Sequence, residues 1–287
     1  MGLFIEHTGF EIPEDPWNGW ERGPDGSKLI INRDHGNHFV SFDNTSRLLN
    51  KTLTGLEPGE TYRVSLRVKR HHDNLLTPTL WFELDGEPLE ERFEVRDQHW
   101  QTLRWTFQAA RAEHRLELLG HGITGELADG LGFDDIRIYP KQTAERFYGY
   151  PNQYISNGQS LPLPTMTVSL QAEPGGRTGI LPTGNDYQYL SIHYVDGAPA
   201  SPLQVNISLA WLCEKVRFEW RSRNERGEVR FYDAQGILQN TQTLPRPSGN
   251  AVNNWIEYAA PGHTDIARIE VNTNDSSLLA YFTLWSL

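Results

Sequence analysis

The sequence predicts an all-β protein built of two antiparallel β-sandwich domains. Short strands bounded by Gly, Pro, Asn and Asp recur along the 287 residues, and helical periodicity is almost absent. In TYRVSLRVK, residues 61–69, every second side chain is apolar, which is typical of a strand with one buried and one solvated face. After Tyr139 prolines replace this alternation, so we expect two domains rather than one.

The domain boundaries follow from this change in pattern. We expect a first sandwich over residues 1–140, a linker over 141–164 and a second sandwich over 165–287. Each half places a tryptophan-led strand before a strand of alternating apolar residues and then a terminal strand. This shared order favours two related jelly rolls.

Composition limits the classes of partner. The formal net charge of −11 argues against a nucleic-acid backbone or an anionic membrane surface. No apolar stretch approaches the ~20 residues that span a bilayer, and MGLFIEHTGF lacks the basic start and long apolar core of a signal peptide. We therefore expect a soluble protein without membrane insertion, with export left open. The single cysteine, Cys213, excludes an internal disulfide and reads as a small buried hydrophobe.

No catalytic motif is found in the sequence. It contains no G-x-S-x-G nucleophile elbow, no Walker A sequence and no dinucleotide fingerprint. The ten histidines match no HExxH spacing, and no pair of carboxylates is singled out for glycosidase chemistry. We therefore predict a protein that is not an enzyme and has no catalytic residues.

The tryptophans suggest a binding role. A sugar packs its C–H face on an aromatic ring while flanking polar groups bond its hydroxyls. Trp81 alternates with core-type residues in TLWFEL, which favours an outward orientation, and with Arg63, Arg67 and Glu83 it is predicted to form a polar and aromatic patch. Core packing is the alternative, because Trp is usually largely buried.

Two further tryptophans are candidates. Trp17 and Trp20 in EDPWNGWERG fall in a loop. A large aromatic side chain in a loop is either a lid over the core or a platform for a ligand. Both are therefore candidate ligand-binding residues.

Four segments carry a resemblance to a known family: TGFE at 8–11, the two loop tryptophans, LTGLEPGETYRVSLRVK at 53–69 and GLGFDDIRIY at 130–139. In this order the first half resembles the galactose-binding-domain-like jelly rolls, particularly carbohydrate-binding modules that begin with a Gly-Phe-Glu segment. The second half resembles them more loosely, through VRFYDAQG, WIEYAAPG and IARIEV. The resemblance implies a jelly-roll fold and carbohydrate binding.

The resemblance also implies a structural calcium ion. In such modules a Glu near the first strand and an Asp on the last strand hold the ion with backbone carbonyls, and the matching positions here are Glu11 and Asp134. Gly9 and the loop DHGN at 34–37 are the candidate carbonyl donors. Hard oxygen ligands of this kind are the ones that Ca²⁺ prefers.

Strand alternation distinguishes the two adjacent aspartates in LGFDDIRIY. A regular strand would place Asp134 on the face of Ile136 and Ile138, and Asp135 on the opposite face. A carboxylate among core isoleucines is costly unless it is paired or metal-bound, so Asp134 is the predicted ligand. The alternative is that Asp134 caps a turn or accepts backbone hydrogen bonds.

Together these features predict a non-catalytic protein that binds carbohydrate or glycan, with a structural calcium in the first domain. The alternative is a structural or host-interaction protein, such as an adhesin, appendage or toxin component, that binds protein. An exposed aromatic strip flanked by polar groups would favour the sugar, and a large flat apolar patch would favour a protein interface. A further alternative is an accessory fragment of a hydrolase.

Overall fold

The structure is a computed structural model that describes residues 5–24, 29–34, 37–42, 47–70, 77–90, 92–121, 131–172, 175–182, 188–194, 202–222, 226–244, 252–262, 264–274 and 276–287. Within these ranges every regular element is a β-strand, so the predicted all-β class is confirmed. The chain divides into two compact units, Met1–Lys141 and Gln142–Leu287.

The first unit is a sandwich of two antiparallel sheets. The first sheet has the order β10-β6-β12-β4-β3 with β1 beside β12, and the second has the order β2-β5-β11-β7-β8 with β9 beside β7. The strands are β1 (Glu6–Thr8), β2 (Glu21–Arg22), β3 (Ile30–Asp34), β4 (Asn37–Phe42), β5 (Arg47–Thr54), β6 (Thr61–Arg70), β7 (Thr79–Leu84), β8 (Glu87–Pro88), β9 (Phe93–Glu94), β10 (Gln101–Gln108), β11 (Glu113–His121) and β12 (Leu131–Pro140).

The core of the first unit lies between these sheets. In β6, Val64, Leu66 and Val68 are fully buried at every second position, as the alternation predicts. The ring of Trp105 in β10 lies 4.8 Å from that of Phe82 in β7, edge to face, and so joins the two sheets. Each large apolar side chain buried in this way stabilises the fold by roughly 1.5–3 kcal/mol.

The second unit is built on one long strand. Its strands are β13 (Gln142–Glu145), β14 (Gln153–Ser156), β15 (Ser160–Pro162), β16 (Met166–Ala172), β17 (Gly176–Pro182), β18 (Gln188–Tyr194), β19 (Leu203–Ser222), β20 (Gly227–Tyr232), β21 (Leu238–Leu244), β22 (Val252–Ala259), β23 (Ile266–Thr273) and β24 (Ser277–Ser286). The first half of β19 pairs with β16 and β23, and its second half with β22 and β24. The pairing is irregular between Ser208 and Cys213, where β19 passes from one group of strands to the other.

The two groups of strands in the second unit face each other. The ring of Phe231 in β20 lies 4.8 Å from that of Tyr258 in β22, although these strands belong to different groups. Phe218 in β19 and Phe282 in β24 are fully buried and stack at 4.7 Å. The unit is therefore a sandwich with its own aromatic core.

The segment predicted as a linker, residues 141–164, is part of the second unit instead. It contains β13, β14 and β15, which pair with β24, β17 and β16. Phe147 is fully buried, with its ring 5.8 Å from that of Phe282. These strands have three or four residues each, with Pro151 before β14 and Pro162 within β15, so they are too short to show alternation.

Candidate functional site

The outward surface of the first sheet carries a row of polar side chains along β6. Arg63, Ser65, Arg67 and Lys69 alternate with core residues and point away from the core. The register adds side chains from both neighbouring strands: Thr102, Arg104 and Thr106 of β10, and Asp134, Arg137 and Tyr139 of β12. Together with Asn37, Phe39 and Trp100, these residues form what we call the β6 face.

An aromatic pair lies at one end of the β6 face. The rings of Phe39 and Trp100 are 5.8 Å apart and meet edge to face. The guanidinium of Arg67 lies 5.2 Å from the Trp100 ring centre, and Nζ of Lys69 lies 4.9 Å from it. Trp100 is partly exposed, whereas Phe39 is buried beneath it. Cations near an aromatic face are attracted by its quadrupole, so both charges stabilise the position of Trp100.

Hydrogen-bonding groups lie beside the aromatic pair. Nδ2 of Asn37 donates to Oδ2 of Asp134 at 2.9 Å, and Nη1 of Arg67 lies 4.0 Å from the same oxygen. Nη1 of Arg63 donates to Oγ1 of Thr106 further along the face, at 2.9 Å. The β6 face thus combines an aromatic platform with donors and acceptors on a rigid sheet.

The β6 face is cationic in an acidic chain. It carries Arg63, Arg67, Lys69, Arg104 and Arg137, against Asp134 and the adjoining Asp135. The whole chain has 37 acidic and 26 basic residues. The sign of the charge on this surface is therefore opposite to that of the molecule.

A β-bulge separates the two aspartates and corrects the prediction from strand alternation. Asp134 pairs with Arg67 and Arg137 with Ser65, so β12 has one more residue than β6 between these pairs. Asp135 has a φ of 53°, in the left-handed region that Asp tolerates better than most residues. Asp134 consequently lies on the β6 face, and not on the face of the core isoleucines as a regular strand would require.

The neighbouring carboxyl groups have opposite electrostatic environments. Burial raises the pKa of Asp134, although it accepts hydrogen bonds from Asn37 and from the Asp135 N–H. Burial would also raise the pKa of Asp135, but Nε2 of His7 at 2.6 Å and Nε of Arg137 at 2.8 Å outweigh it and lower this pKa to about 2.

The predicted calcium ligands Glu11 and Asp134 meet at the beginning of β4. Glu11 contacts His38 through the backbone N–H at 2.7 Å and Nδ1 at 2.5 Å, and these contacts lower its pKa despite the opposing effect of burial. Asp134 contacts the preceding residue, Asn37. Both carboxylates therefore bond neighbouring residues at the start of β4.

The groups that contact the carboxylates of Glu11 and Asp134 fit calcium poorly. Their partners are nitrogen donors, whereas Ca²⁺ takes oxygen ligands. In the described part of the chain, no three His, Cys, Asp or Glu side chains group as metal ligands. Gly9 precedes Glu11 by two residues. In the predicted loop DHGN at 34–37, His35 and Gly36 lie outside the described residues.

The predicted patch around Trp81 is not assembled. Trp81 and Glu83 lie on β7 of the second sheet, whereas Arg63 and Arg67 lie on β6 of the first. Trp81 does point away from the core, as predicted, but it is only 9% exposed. Its Nε1 donates to Glu83 at 3.0 Å, and the guanidinium of Arg92 lies 4.5 Å from its ring centre.

The two loop tryptophans pack at the edge of the core. Trp20 is 3% exposed, and its Nε1 donates to Oγ1 of Thr8 at 3.2 Å. Trp17 is partly buried against the core, with its ring 5.7 Å from that of Phe10. Of the two alternatives for this loop, the geometry of Trp20 matches a lid over the core.

Sequence reasoning missed Trp100, Phe39 and Lys69 as site residues. Alternation along WQTLRWTFQA could have placed Trp100 on the face opposite Leu103 and Trp105. Its approach to Phe39 depends on the pairing of β12 with both β4 and β6, which no local pattern reveals.

Comparisons with known proteins show similarity to sugar-binding structures. No protein-family model matches the chain, and a search of the curated proteins finds no relative. A search of solved structures finds the tandem CBM22-1-CBM22-2 domain of Paenibacillus barcinonensis Xyn10C, at 12% identity over 99% of this chain and 98% of that one, with a TM-score of 0.36. The CBM22-1 xylan-binding domain of the same protein matches at 17% identity over 48% and 95%, with a TM-score of 0.38.

A further similar structure is the EclA C-terminal domain, described as a sugar-binding protein. It matches at 25% identity over 44% of this chain and 93% of that one, with a TM-score of 0.33. Carbohydrate-binding modules are among the structures to which this chain is similar. In the described ranges no helix is long and apolar enough to span a bilayer.

Proposed function

We propose that the chain is a non-catalytic glycan-binding protein whose first unit binds sugar on the β6 face. The observation that carries the proposal is the partly exposed ring of Trp100, with Arg67 and Lys69 beside it on a polar sheet surface. A pyranose ring offers C–H groups to an aromatic face and hydroxyls to the groups beside it. The β6 face supplies both kinds of contact.

Four residues of the β6 face have a role in this proposal. Trp100 stacks against the sugar ring, and Arg67 donates to its hydroxyl or ring oxygens. Asn37 and Asp134, which already bond each other, supply a donor and an acceptor at the edge of the platform. One stacked ring with two or three hydrogen bonds gives weak affinity, because ordering the ligand offsets much of the gain.

The distribution of exposed apolar side chains favours sugar over protein as the ligand. Among the described residues, the large exposed ones are Ile12, Ile30, Tyr148, Tyr154, Ile237, Leu238 and Trp255. Only Ile237 and Leu238 are neighbours in sequence, and the others lie on different loops and strands. A stable protein interface would instead present a continuous apolar centre.

A glycan array followed by a polysaccharide pull-down tests the proposal. We expect binding by the natural protein and a loss of about tenfold or more in affinity for Trp100→Ala, since the stacking platform is removed. Trp81→Phe, on the opposite sheet, is expected to bind as the natural protein does. Absence of binding on both assays, or loss with Trp81→Phe but not with Trp100→Ala, would contradict the proposal.

Calcium at Glu11 and Asp134 stays a prediction, and it has a separate test. A bound ion would stabilise the folded state by mass action, so EDTA should lower the melting temperature and added CaCl₂ should restore it. Glu11→Gln should remove that response. A melting temperature that is the same in EDTA and in CaCl₂ would rule the ion out, and the hydrogen bonds from β4 would then account for both carboxylates.

A further inference from the structure

An exposed aromatic strip lies on the second unit, on the outward surface formed by β22, β19 and β24. The register places side chains of the three strands side by side: Trp255 and Glu257 of β22, Lys215 and Arg217 of β19, and Thr283 and Trp285 of β24. Tyr281 of β24 and Arg146 after β13 complete the strip. We call this surface the Trp255 face.

Trp255 combines a close guanidinium with a large exposed ring area. The guanidinium of Arg217 lies 4.2 Å from its ring centre, close enough to cover one face. The side chain is nevertheless 51% exposed, which is high for a tryptophan. Tyr281 lies 6.4 Å away and has a φ of 53°, a strained conformation for an aromatic residue. The exposed ring and the neighbouring Tyr281 form a platform that crosses the strands.

Cations back the aromatic rings along this strip. Arg146 lies 5.2 Å from the Tyr281 ring centre, and Nζ of Lys215 lies 4.8 Å from that of Trp285. Each ring of the Trp255 face therefore has a positive charge close to it. The guanidinium of a stacked arginine lies parallel to the aromatic ring. Its N–H groups then point sideways and can pair with a carboxylate.

Glu257 of this face bonds Lys215 and not Arg217. Glu257 is held by Nζ of Lys215 at 2.7 Å, whereas Nε of Arg217 lies 3.9 Å from it, too far for a hydrogen bond. The other acid on this face, Glu219, is buried and paired with Arg221 at 3.2 Å. Among the described residues, Arg217 thus lies beside an exposed aromatic ring without a hydrogen-bonded anion.

We propose that the Trp255 face is a second glycan-binding site, selective for sugars that carry a carboxylate, such as hexuronates. The sugar ring stacks on the exposed ring of Trp255, and its carboxylate pairs with Arg217 at the edge. The inference rests on the proposed glycan-binding function but concerns a different unit and different residues. A nucleic acid is the less favoured ligand, because Glu257 lies within the strip and the chain as a whole is acidic.

Binding of the full chain to polygalacturonate and to its carboxyl-reduced, neutral product tests this proposal by titration calorimetry. The measurements are made in a Trp100→Ala background, which removes the platform of the first unit. We expect this protein to bind the acidic polymer and to bind the neutral one about tenfold more weakly. Raising the salt from about 0.1 M to about 1 M should weaken the acidic complex, because the Debye length falls from about 10 Å to about 3 Å.

Three variants in the same background assign the site. Trp255→Ala and Arg217→Gln should each weaken binding of polygalacturonate about tenfold, and Arg217→Gln should also abolish the preference over the neutral polymer. Tyr154→Ala is the matched control, since Tyr154 is 46% exposed and has a guanidinium 5.9 Å from its ring centre. It should bind as the background protein does. All four proteins should share one melting temperature.

The outcomes separate this inference from the proposed function. If Trp100→Ala alone abolishes binding of every glycan, the Trp255 face is not a site, while glycan binding by the first unit stands. Equal affinity for the two polymers would overturn the selectivity for carboxylates. Tight binding of single-stranded DNA that Trp255→Ala removes would overturn the ligand class. If the natural protein binds no glycan at all, both proposals fail.

Discussion

At the scale of single residues, Asp134 and Asp135 show how one extra residue in a strand changes the chemistry of two identical side chains. The bulge places Asp134 in a buried position on the β6 face, where its ionised form is disfavoured. It places Asp135 between His7 and Arg137, which favour its ionised form. The ionised Asp135 therefore stabilises the first unit at neutral pH. The ionised Asp134 stabilises it less, because burial disfavours its charge.

We expect Asp135→Asn to lower the free energy of unfolding by about 1 to 2 kcal/mol at pH 7. The pKa of Asp135 falls from 3.8 to about 2 on folding, so its contribution is complete above pH 3.8 and is lost as the pH drops toward 2. Urea unfolding at a series of pH values should show the difference between the two proteins shrinking over that interval. Asn is suitable because it also tolerates a positive φ.

Asp134→Asn is the control for this prediction. Because burial raises the pKa of Asp134, removing its charge should leave stability at pH 7 unchanged or slightly higher. A loss of stability equal to that of Asp135→Asn would show that both residues act through their shape and not through their charge.

At the scale of elements, the second unit depends on a close contact between Trp220 of β19 and Gly227 of β20. Trp220 is fully buried, and a Cβ atom at Gly227 would overlap its indole ring. The two residues lie in facing groups of strands, so the glycine makes the space into which the tryptophan fits. Without that space, the two groups would be forced apart at this point.

Gly227→Ala should therefore destabilise the second unit by about 2 to 3 kcal/mol, because overpacking shifts backbone or ring. Gly236→Ala is the matched control: its φ is 79° and nothing lies within 4 Å of an added Cβ, so only the backbone conformation is strained. That cost is about 1 kcal/mol. Thermal unfolding of both variants measures the difference, and equal melting temperatures would contradict the packing argument.

Alternation in the sequence predicted most of these strands but not which of them pair. It predicted β6, β10 and β12 and the outward row that contains Arg67 and Lys69, because side-chain direction in a strand follows from sequence alone. It could not show the bulge at Asp135, since a single inserted residue leaves no mark on composition. It also grouped Trp81 with Arg67, because nothing local tells which strands share a sheet.

At the scale of the whole molecule, the division at residues 141 and 142 defines which fragments fold. The first unit contains its own sheets and core, and the second begins with β13, which pairs with β24. Glu145 at the end of β13 is buried and accepts a hydrogen bond from Oγ1 of Thr165 at 2.8 Å. The segment from 142 to 164 is therefore structural.

We expect fragments 1–141 and 142–287 to fold separately, and a fragment 165–287 to remain unfolded or aggregate. The shorter fragment lacks β13, β14 and β15 and leaves Phe282 without the ring of Phe147. Dispersion of amide signals in NMR spectra distinguishes folded from unfolded fragments. A well-dispersed spectrum for 165–287 would mean that the three short strands are dispensable and that the segment serves as a linker after all.

The position of β24 also determines when the second unit can fold during synthesis. This strand is a partner of β13, β18 and β19, which leave the ribosome well before it does. Until residues 277–286 emerge, those three strands have open edges that can pair with another chain. The first unit is completed by its own last strand, β12, which pairs with β1, β4 and β6 as soon as residues 131–140 emerge. During synthesis the chain therefore carries a complete first sandwich while the second is still incomplete. A chaperone would be needed most in the interval before residues 277–286 emerge.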